Sequence, residues 1–112
     1  LSRCLTITDF SDAAWYLGLK IEHSKGIVRL SQSAFLQRVV EAADPGSKKI
    51  CKVPVDEGVK LVNNQVQASK DDIKDYQAGV GGAMYLMTQT RPDIAYAIGR
   101  LARYASNPAK QH

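Results

Sequence analysis

The residues able to do chemistry fall into four small groups. Asp71 and Asp72 stand side by side, as carboxylates do where two metal ions are clamped. They also open a helical pattern, where negative charge simply complements the helix dipole, and that structural reading takes precedence. Cys4 and Cys51 form no CxxC pair and the only histidines are His23 and His112, so no zinc set of usual spacing can be assembled. The thiols are read as two reduced cysteines of an intracellular protein. No Ser/His/Asp or Cys/His set is close in sequence, and Gly79, Gly81 and Gly82 lack the preceding strand that a phosphate loop requires. No complete active site is expected within the chain, and no cofactor.

Two groups remain. Each glycine in a helix interior costs roughly 0.8–1 kcal/mol relative to alanine, so Gly79, Gly81 and Gly82 together are an expensive local choice. The usual reason is close approach of another surface. Gln77, Gly81 and Tyr85 recur at i, i+4 and i+8, one line of a helix offering an amide, a bare backbone and an aromatic ring. Such a line suits a nucleic-acid minor groove, and it equally suits a tight helix–helix crossing. Tyr96, Arg100 and Arg103 follow at i, i+4 and i+7, with Tyr104 and Lys110 nearby. Between Gln77 and His112 stand Arg91, Arg100, Arg103 and Lys110 against Asp93 alone. A basic and aromatic face of this kind can hold phosphates; a solvated helix face is the alternative.

The elements that position these residues divide into three zones. In the first, Leu5 and Ile7 alternate with Thr6 and Thr8, and Asp9–Asp12 is turn-like. Trp15, Leu17, Leu19 and Ile21 then alternate with Tyr16, Gly18, Lys20 and Glu22, the period of a half-buried strand. A four-residue turn, His23–Gly26, and a return strand, Ile27–Leu30, make a β-hairpin. In the second zone Ser31 or Ser33 caps a helix whose apolar face is Phe35, Leu36, Val39, Val40 and Ala43, ended by Asp44-Pro45-Gly46. A long loop over 45–68 follows, with a short strand near Ile50–Val55. The third zone is two helices. The first opens at Ser69 with Asp72 three residues on and carries Ile73, Tyr76, Val80, Ala83/Met84 and Met87. The second opens at Thr90-Arg91-Pro92-Asp93, with Thr90 as cap, carries Ile94, Ile98, Leu101 and Ala105, and is stopped by Ser106-Asn107-Pro108. The fold class is therefore α+β: an antiparallel hairpin or small sheet over 1–32, then a mainly helical region over 33–112.

Length and composition agree with this. The chain has 112 residues, 45% hydrophobic and 23% charged, with a net charge of +4. That excludes wholesale disorder and a disulfide-rich scaffold. No apolar run approaches the ~20 residues of a membrane span. The chain opens on Leu1 with no signal-peptide pattern, and both ends are expected to be cuts in a longer polypeptide.

Several stretches, in order, resemble copia-type LTR retrotransposon polyproteins. They are Thr8-Asp9-Phe10 with Trp15–Glu22, Gly26–Gln32, Val53-Pro54-Val55-Asp56, Gly81–Leu86, Thr90–Ala97 and Gly99–Pro108. The block from Thr90-Arg91-Pro92-Asp93-Ile94 to Arg103-Tyr104 is the most specific. The chain departs from the family's pattern at Ser11, usually Gly, and at Gly82-Ala83, often Ser-Leu.

The resemblance falls in the reverse transcriptase segment. It implies that residues 1–32 are the end of a polymerase palm with its primer-grip hairpin, exposing Tyr16, Leu17 and Gly18 to the primer. It implies a thumb over 33–112, with Gln77, Gly81 and Tyr85 on the helix that tracks the duplex groove and Arg91, Arg100 and Arg103 on or before the next. The implied partners are an RNA–DNA or DNA–DNA template–primer duplex and the rest of the polyprotein, palm and RNase H; no membrane is implied. The family's Tyr-x-Asp-Asp motif is expected before Leu1 and its RNase H domain after His112. Mg is expected for the complete polymerase and not for this segment, which is expected not to polymerise alone. The rival reading is a truncated or host-retained retroelement product acting as a binding protein without enzymatic activity.

Overall fold

The computed structural model of the chain describes residues 6, 8, 13–43, 46, 52–55 and 58–112. The chain divides into two compact units, Leu1–Gln32 and Ser33–His112. A small antiparallel sheet followed by helices makes the fold α+β, as the periodicities implied.

The first unit is a three-stranded meander of β1 (Trp15–Tyr16), β2 (Leu19–Ser24) and β3 (Ile27–Ser31), in the order β1-β2-β3. The sequence pattern is corrected here in two places. The strand expected to run unbroken from Trp15 to Glu22 reverses at Leu17-Gly18, so that Tyr16 pairs with Leu19 and Trp15 with Lys20. The second turn is two residues long rather than four: Ser24 pairs with Ile27 and His23 with Val28 around Lys25-Gly26. One cause explains both. Leu17 and Gly18 have φ of 48° and 79°, and Lys25 and Gly26 have 35° and 81°. Two successive positive φ values define the tight turn whose twist matches that of paired strands. Glycine supplies the second position without strain in each case.

Cross-strand partners share a face. Tyr16, Leu19, Ile21, Val28 and Leu30 therefore lie on one side of the sheet, and Trp15, Lys20, Glu22, Ile27 and Arg29 on the other. Leu19 is buried, whereas Tyr16, Val28 and Leu30 are more than half exposed. Lys20 Nζ meets Glu22 Oε1 at 2.7 Å on the polar face. The expected strand over Leu5–Thr8 and turn over Asp9–Asp12 lie outside the described residues, except that Thr6 and Thr8 carry no regular structure.

The second unit is built from α1 (Ser33–Ala43), α2 (Lys70–Gln89) and α3 (Ala95–Ala102), with a 3₁₀ turn over Pro92–Ile94. Ser31 ends β3 and Ser33 opens α1, so the helix start falls on the second of the two candidate serines. Ser69 caps α2 as its sequence implied. Asp72 N–H donates to Ser69 Oγ at 3.1 Å, and the hydroxyl donates in turn to Asp72 Oδ2 at 2.7 Å. The stripe of α2 is half-buried at Ile73, Tyr76, Val80, Ala83 and Met87, while Met84 stays exposed. The most deeply buried side chain is Leu86 at 2% exposure, with Ala97 of α3 at 6%. Neither stood among the expected stripe residues.

Three further expectations are corrected. Thr90 does not cap the next helix but ends α2, its N–H donating to Leu86 O at 3.0 Å. Pro92 opens a 3₁₀ turn instead of α-helix. The last helix ends at Ala102, before Ala105, and 103–106 continue as turns. In the loop over 45–68, Lys52–Val55 form bends and not the expected strand; Ile50 and Cys51 lie outside the described residues, as do Asp44 and Pro45.

Residues 59–68 have no regular structure yet are firmly placed. Tyr104 Oη donates to Leu61 O at 2.9 Å, Asn64 Nδ2 to Pro108 O at 2.7 Å, and Ala68 N–H to Asn107 Oδ1 at 2.8 Å. Ala109 N–H donates to His112 Nδ1 at 2.9 Å, which leaves the ring proton on Nε2 to reach Val62 O, also at 2.9 Å. The His112 ring stacks on Tyr104 with centroids 4.0 Å apart. The strap thus exchanges donors and acceptors with residues 104–112 after α3, side chains answering the polar groups of irregular backbone.

Candidate nucleic-acid interface

The three glycines of α2 do different things. A Cβ on Gly82 would lie 3.1 Å from Val39 Cγ2 and 3.8 Å from Cγ1, so Gly82 is where α1 comes close. A Cβ on Gly79 or Gly81 would meet nothing within 4 Å. The close crossing therefore falls at Gly82, and the adjacent Gly81 has open space beside it.

The neighbours of Gly81 are partly committed. Gln77 Nε2 donates to Ala105 O at 2.9 Å, tying α2 to the turns after α3. The Tyr85 ring meets Phe35 of α1 edge-on, with centroids 5.2 Å apart, and Arg38 lies over the other ring of that pair at 5.4 Å. Gln77 and Tyr85 thus flank Gly81 as fixed groups rather than free ones. The helix pair is tied further by Tyr76 Oη, which donates to Leu101 O at 2.8 Å. Burial pushes the Tyr76 phenol above its ordinary value, and Tyr104 adds to the shift.

The arginines also differ. Arg91 holds Asp93 in a two-pronged pair, Nε to Oδ1 at 2.9 Å and Nη2 to Oδ2 at 2.8 Å. That hydrogen-bonded pairing lowers the Asp93 carboxyl and raises the Arg91 guanidinium. Arg100 Nη2 donates to Val59 O at 2.7 Å, and its guanidinium carbon lies 5.9 Å from the centroid of the Tyr96 ring. Arg103 is exposed and its side chain makes no ion pair or hydrogen bond among the described residues. Of the three it is the one positioned to meet an external anion at no internal cost. Sequence reasoning missed that Arg100 serves the strap, because residues 59–68 have no periodicity to announce a partner.

In the first unit, Tyr16, Leu17 and Gly18 sit together at the tip of the first turn, with Tyr16 and Leu17 63% and 69% exposed. Asp71 and Asp72 stay with the capped start of α2. Among the described residues, no group of three or more His, Cys, Asp and Glu side chains is placed to hold a metal ion. No helix among them is long and apolar enough to cross a membrane.

The chain is similar over its whole length to Pol polyproteins of transposons. It is 32% identical to the retrovirus-related Pol polyprotein from transposon TNT 1-94 of Nicotiana tabacum, covering 9% of that polyprotein. It is 26% identical to the corresponding polyprotein from transposon RE1 of Arabidopsis thaliana, covering 8%. It is also 29% identical, over 96% of its own length, to an uncharacterised mitochondrial protein of Arabidopsis thaliana, of which it covers 44%. The chain thus spans less than a tenth of the polyproteins and less than half of the shorter relative. No family model matches the chain, and neither does a solved structure. The similarity supports a retroelement-derived segment.

Proposed function

We propose that the chain is a segment of a copia-type reverse transcriptase that positions the template–primer duplex for RNA-directed DNA synthesis. In this reading the first unit is the primer grip, presenting Tyr16, Leu17 and Gly18 at a tight turn. The second is a thumb whose α2 lies along the minor groove. The observation that carries the groove assignment is the split between Gly82 and Gly81: one glycine is consumed by α1, and the next is left bare on an open face. Packing explains the first and not the second, whereas a sugar edge approaching the backbone explains the second. The net positive charge from Gln77 to His112 suits a phosphate backbone. Nucleotidyl transfer itself needs metal-clamped phosphates; the segment contributes orientation of the duplex, with the rest of the polyprotein as its partner.

The test is binding of the purified chain to a short RNA–DNA hybrid across a salt series, beside Gly81→Leu. Binding that weakens with salt and that Gly81→Leu removes without unfolding the chain is the expected outcome. A folded chain with no affinity for the hybrid, or one indifferent to Gly81→Leu, refutes the groove assignment.

A second reading has one observation in its favour. The uncharacterised mitochondrial relative is short enough for the chain to cover 44% of it, so this segment also occurs outside long polyproteins. A retroelement-derived product acting as a binding protein without enzymatic activity fits that occurrence. An in-frame Tyr-x-Asp-Asp upstream of Leu1 in the gene distinguishes the polymerase segment from it.

A further inference from the structure

On α3, one face is left over after packing is accounted for. Tyr96 is 73% exposed, more than any other large hydrophobic residue among the described residues of the second unit. The Arg100 guanidinium carbon lies 5.9 Å from its ring centroid, and Arg100 Nη2 is itself held by Val59 O at 2.7 Å. A Cβ on Gly99, three residues on, would meet nothing within 4 Å, so space beside the ring is open. Arg103 lies seven residues beyond Tyr96, two helical turns and about 10 Å along the same face, and is exposed. The exposed Lys60 is next in sequence to the Val59 carbonyl that Arg100 holds. The result is an exposed ring beside Arg100, on a helix that leads to the exposed Arg103, with the exposed Lys60 next in sequence to the carbonyl that Arg100 holds.

The geometry points to a platform for unpaired nucleic acid: one base stacks on the Tyr96 ring while Arg103 and Lys60 take the flanking phosphates. This rests on the nucleic-acid reading above and goes beyond it. A paired duplex offers base edges and sugars, which suit the bare line at Gly81, but it hides the faces of its bases. A strand leaving the duplex exposes them, and base–aromatic stacking tolerates any sequence because every base has a π-face. Arg100 acts here as a positioning residue, holding the ring from the strap side.

The test measures binding of the full chain to labelled single strands of about 15 nucleotides, one DNA and one RNA, beside the paired hybrid. Parent, Tyr96→Leu and Tyr96→Phe are compared, with circular dichroism to verify the fold. Tyr96→Leu is expected to weaken single-strand binding about tenfold or more, Tyr96→Phe to keep it within about twofold, and neither to alter hybrid binding. A strand carrying 2-aminopurine should lose fluorescence on binding to the parent and to Tyr96→Phe, and not to Tyr96→Leu. Equal single-strand affinity for parent and Tyr96→Leu overturns the platform while leaving hybrid binding to stand or fall by its own arm. No single-strand binding by the folded parent also overturns it. So does a change of sedimentation on Tyr96→Leu with unchanged nucleic-acid affinity, which would assign the ring to a protein contact.

Discussion

Replacing the glycines of α2 by alanine one at a time separates packing from exposure. Alanine in a helix interior is favoured over glycine by roughly 0.8–1 kcal/mol, mostly through backbone entropy. At Gly79 and Gly81 nothing lies within 4 Å of the added Cβ, so the full gain is expected. In a unit of this size that raises Tm by about 4–8 °C per kcal/mol. At Gly82 the same gain is opposed, because the added carbon lies 3.1 Å from Val39 Cγ2. Val39 is β-branched and held in α1, so it has few rotamers in which to retreat. Overpacking costs about 1–3 kcal/mol, so the net change at Gly82 runs from about zero to a loss near 2 kcal/mol. Urea melts of the three variants give the ranking, with Gly79→Ala and Gly81→Ala above the parent and Gly82→Ala at or below it. The hybrid-binding assay supplies the second axis. Gly81→Ala should gain stability and lose affinity together, since the methyl group that helps the helix occupies the approach of the sugar edge. A loss of stability at Gly81 would mean that another surface already covers that face. Identical effects at all three positions would refute the division between crossing and bare line.

Other perturbations probe the remaining contacts. Arg103→Ala should reduce the salt slope of binding by about one phosphate contact, whereas Arg91→Ala should change it little, because Asp93 already holds that guanidinium; equal slopes for the two variants would refute the ranking. Tyr76→Phe removes the hydrogen bond to Leu101 O and should cost about 0.5–1.5 kcal/mol in a urea melt near neutral pH. Because burial raises the phenol above 10.0, its contribution is complete below the unfolded value and is lost as pH rises through the higher folded value. The parent should therefore lose stability as pH rises above about 10 more steeply than Tyr76→Phe, and parallel profiles would count against the buried phenol. Ser69→Ala removes the cap of α2 and should cost about 1 kcal/mol, measured by the same melts.

What the sequence made legible was local. The cap at Ser69 could be read because a hydroxyl three residues before a carboxylate has one recurring geometry, and the structure keeps it. The β2–β3 hairpin was legible from Gly26, but the Leu17-Gly18 reversal was hidden, since apolar alternation continues straight across it. The reversal in fact shifts the phase, putting Tyr16 on the face of Leu19 and Trp15 on that of Lys20, but Trp15 and Tyr16 are both apolar enough to satisfy either phase. Only the positive φ at Leu17, costly for a residue with a Cβ, breaks the tie, and that is a property of the folded turn. The end of α3 was hidden for a different reason. Nothing in Arg103, Tyr104 or Ala105 opposes a helix by propensity; what competes is tertiary, since Tyr104 and Asn107 are committed to the strap.

The strap also governs how the candidate site should be read. A basic residue on a helix is available to a phosphate only if the protein has not already bound it. Arg91 is bound by a carboxylate and Arg100 by a carbonyl, and the two commitments differ in kind. Arg91 has its charge answered, so an incoming phosphate must displace Asp93. Arg100 has one N–H answered by the neutral Val59 carbonyl, so its charge remains while its position is fixed. A fixed and unneutralised cation beside an exposed ring positions that ring with its side-chain entropy lost before binding rather than on it, and leaves Arg103 as the residue free to meet a phosphate. In the proposed reading the irregular segment before α2 contributes to recognition through its backbone: shortening or rerouting residues 59–61 should loosen Arg100 and Tyr96 together, while leaving Gly81 and its open face as they are.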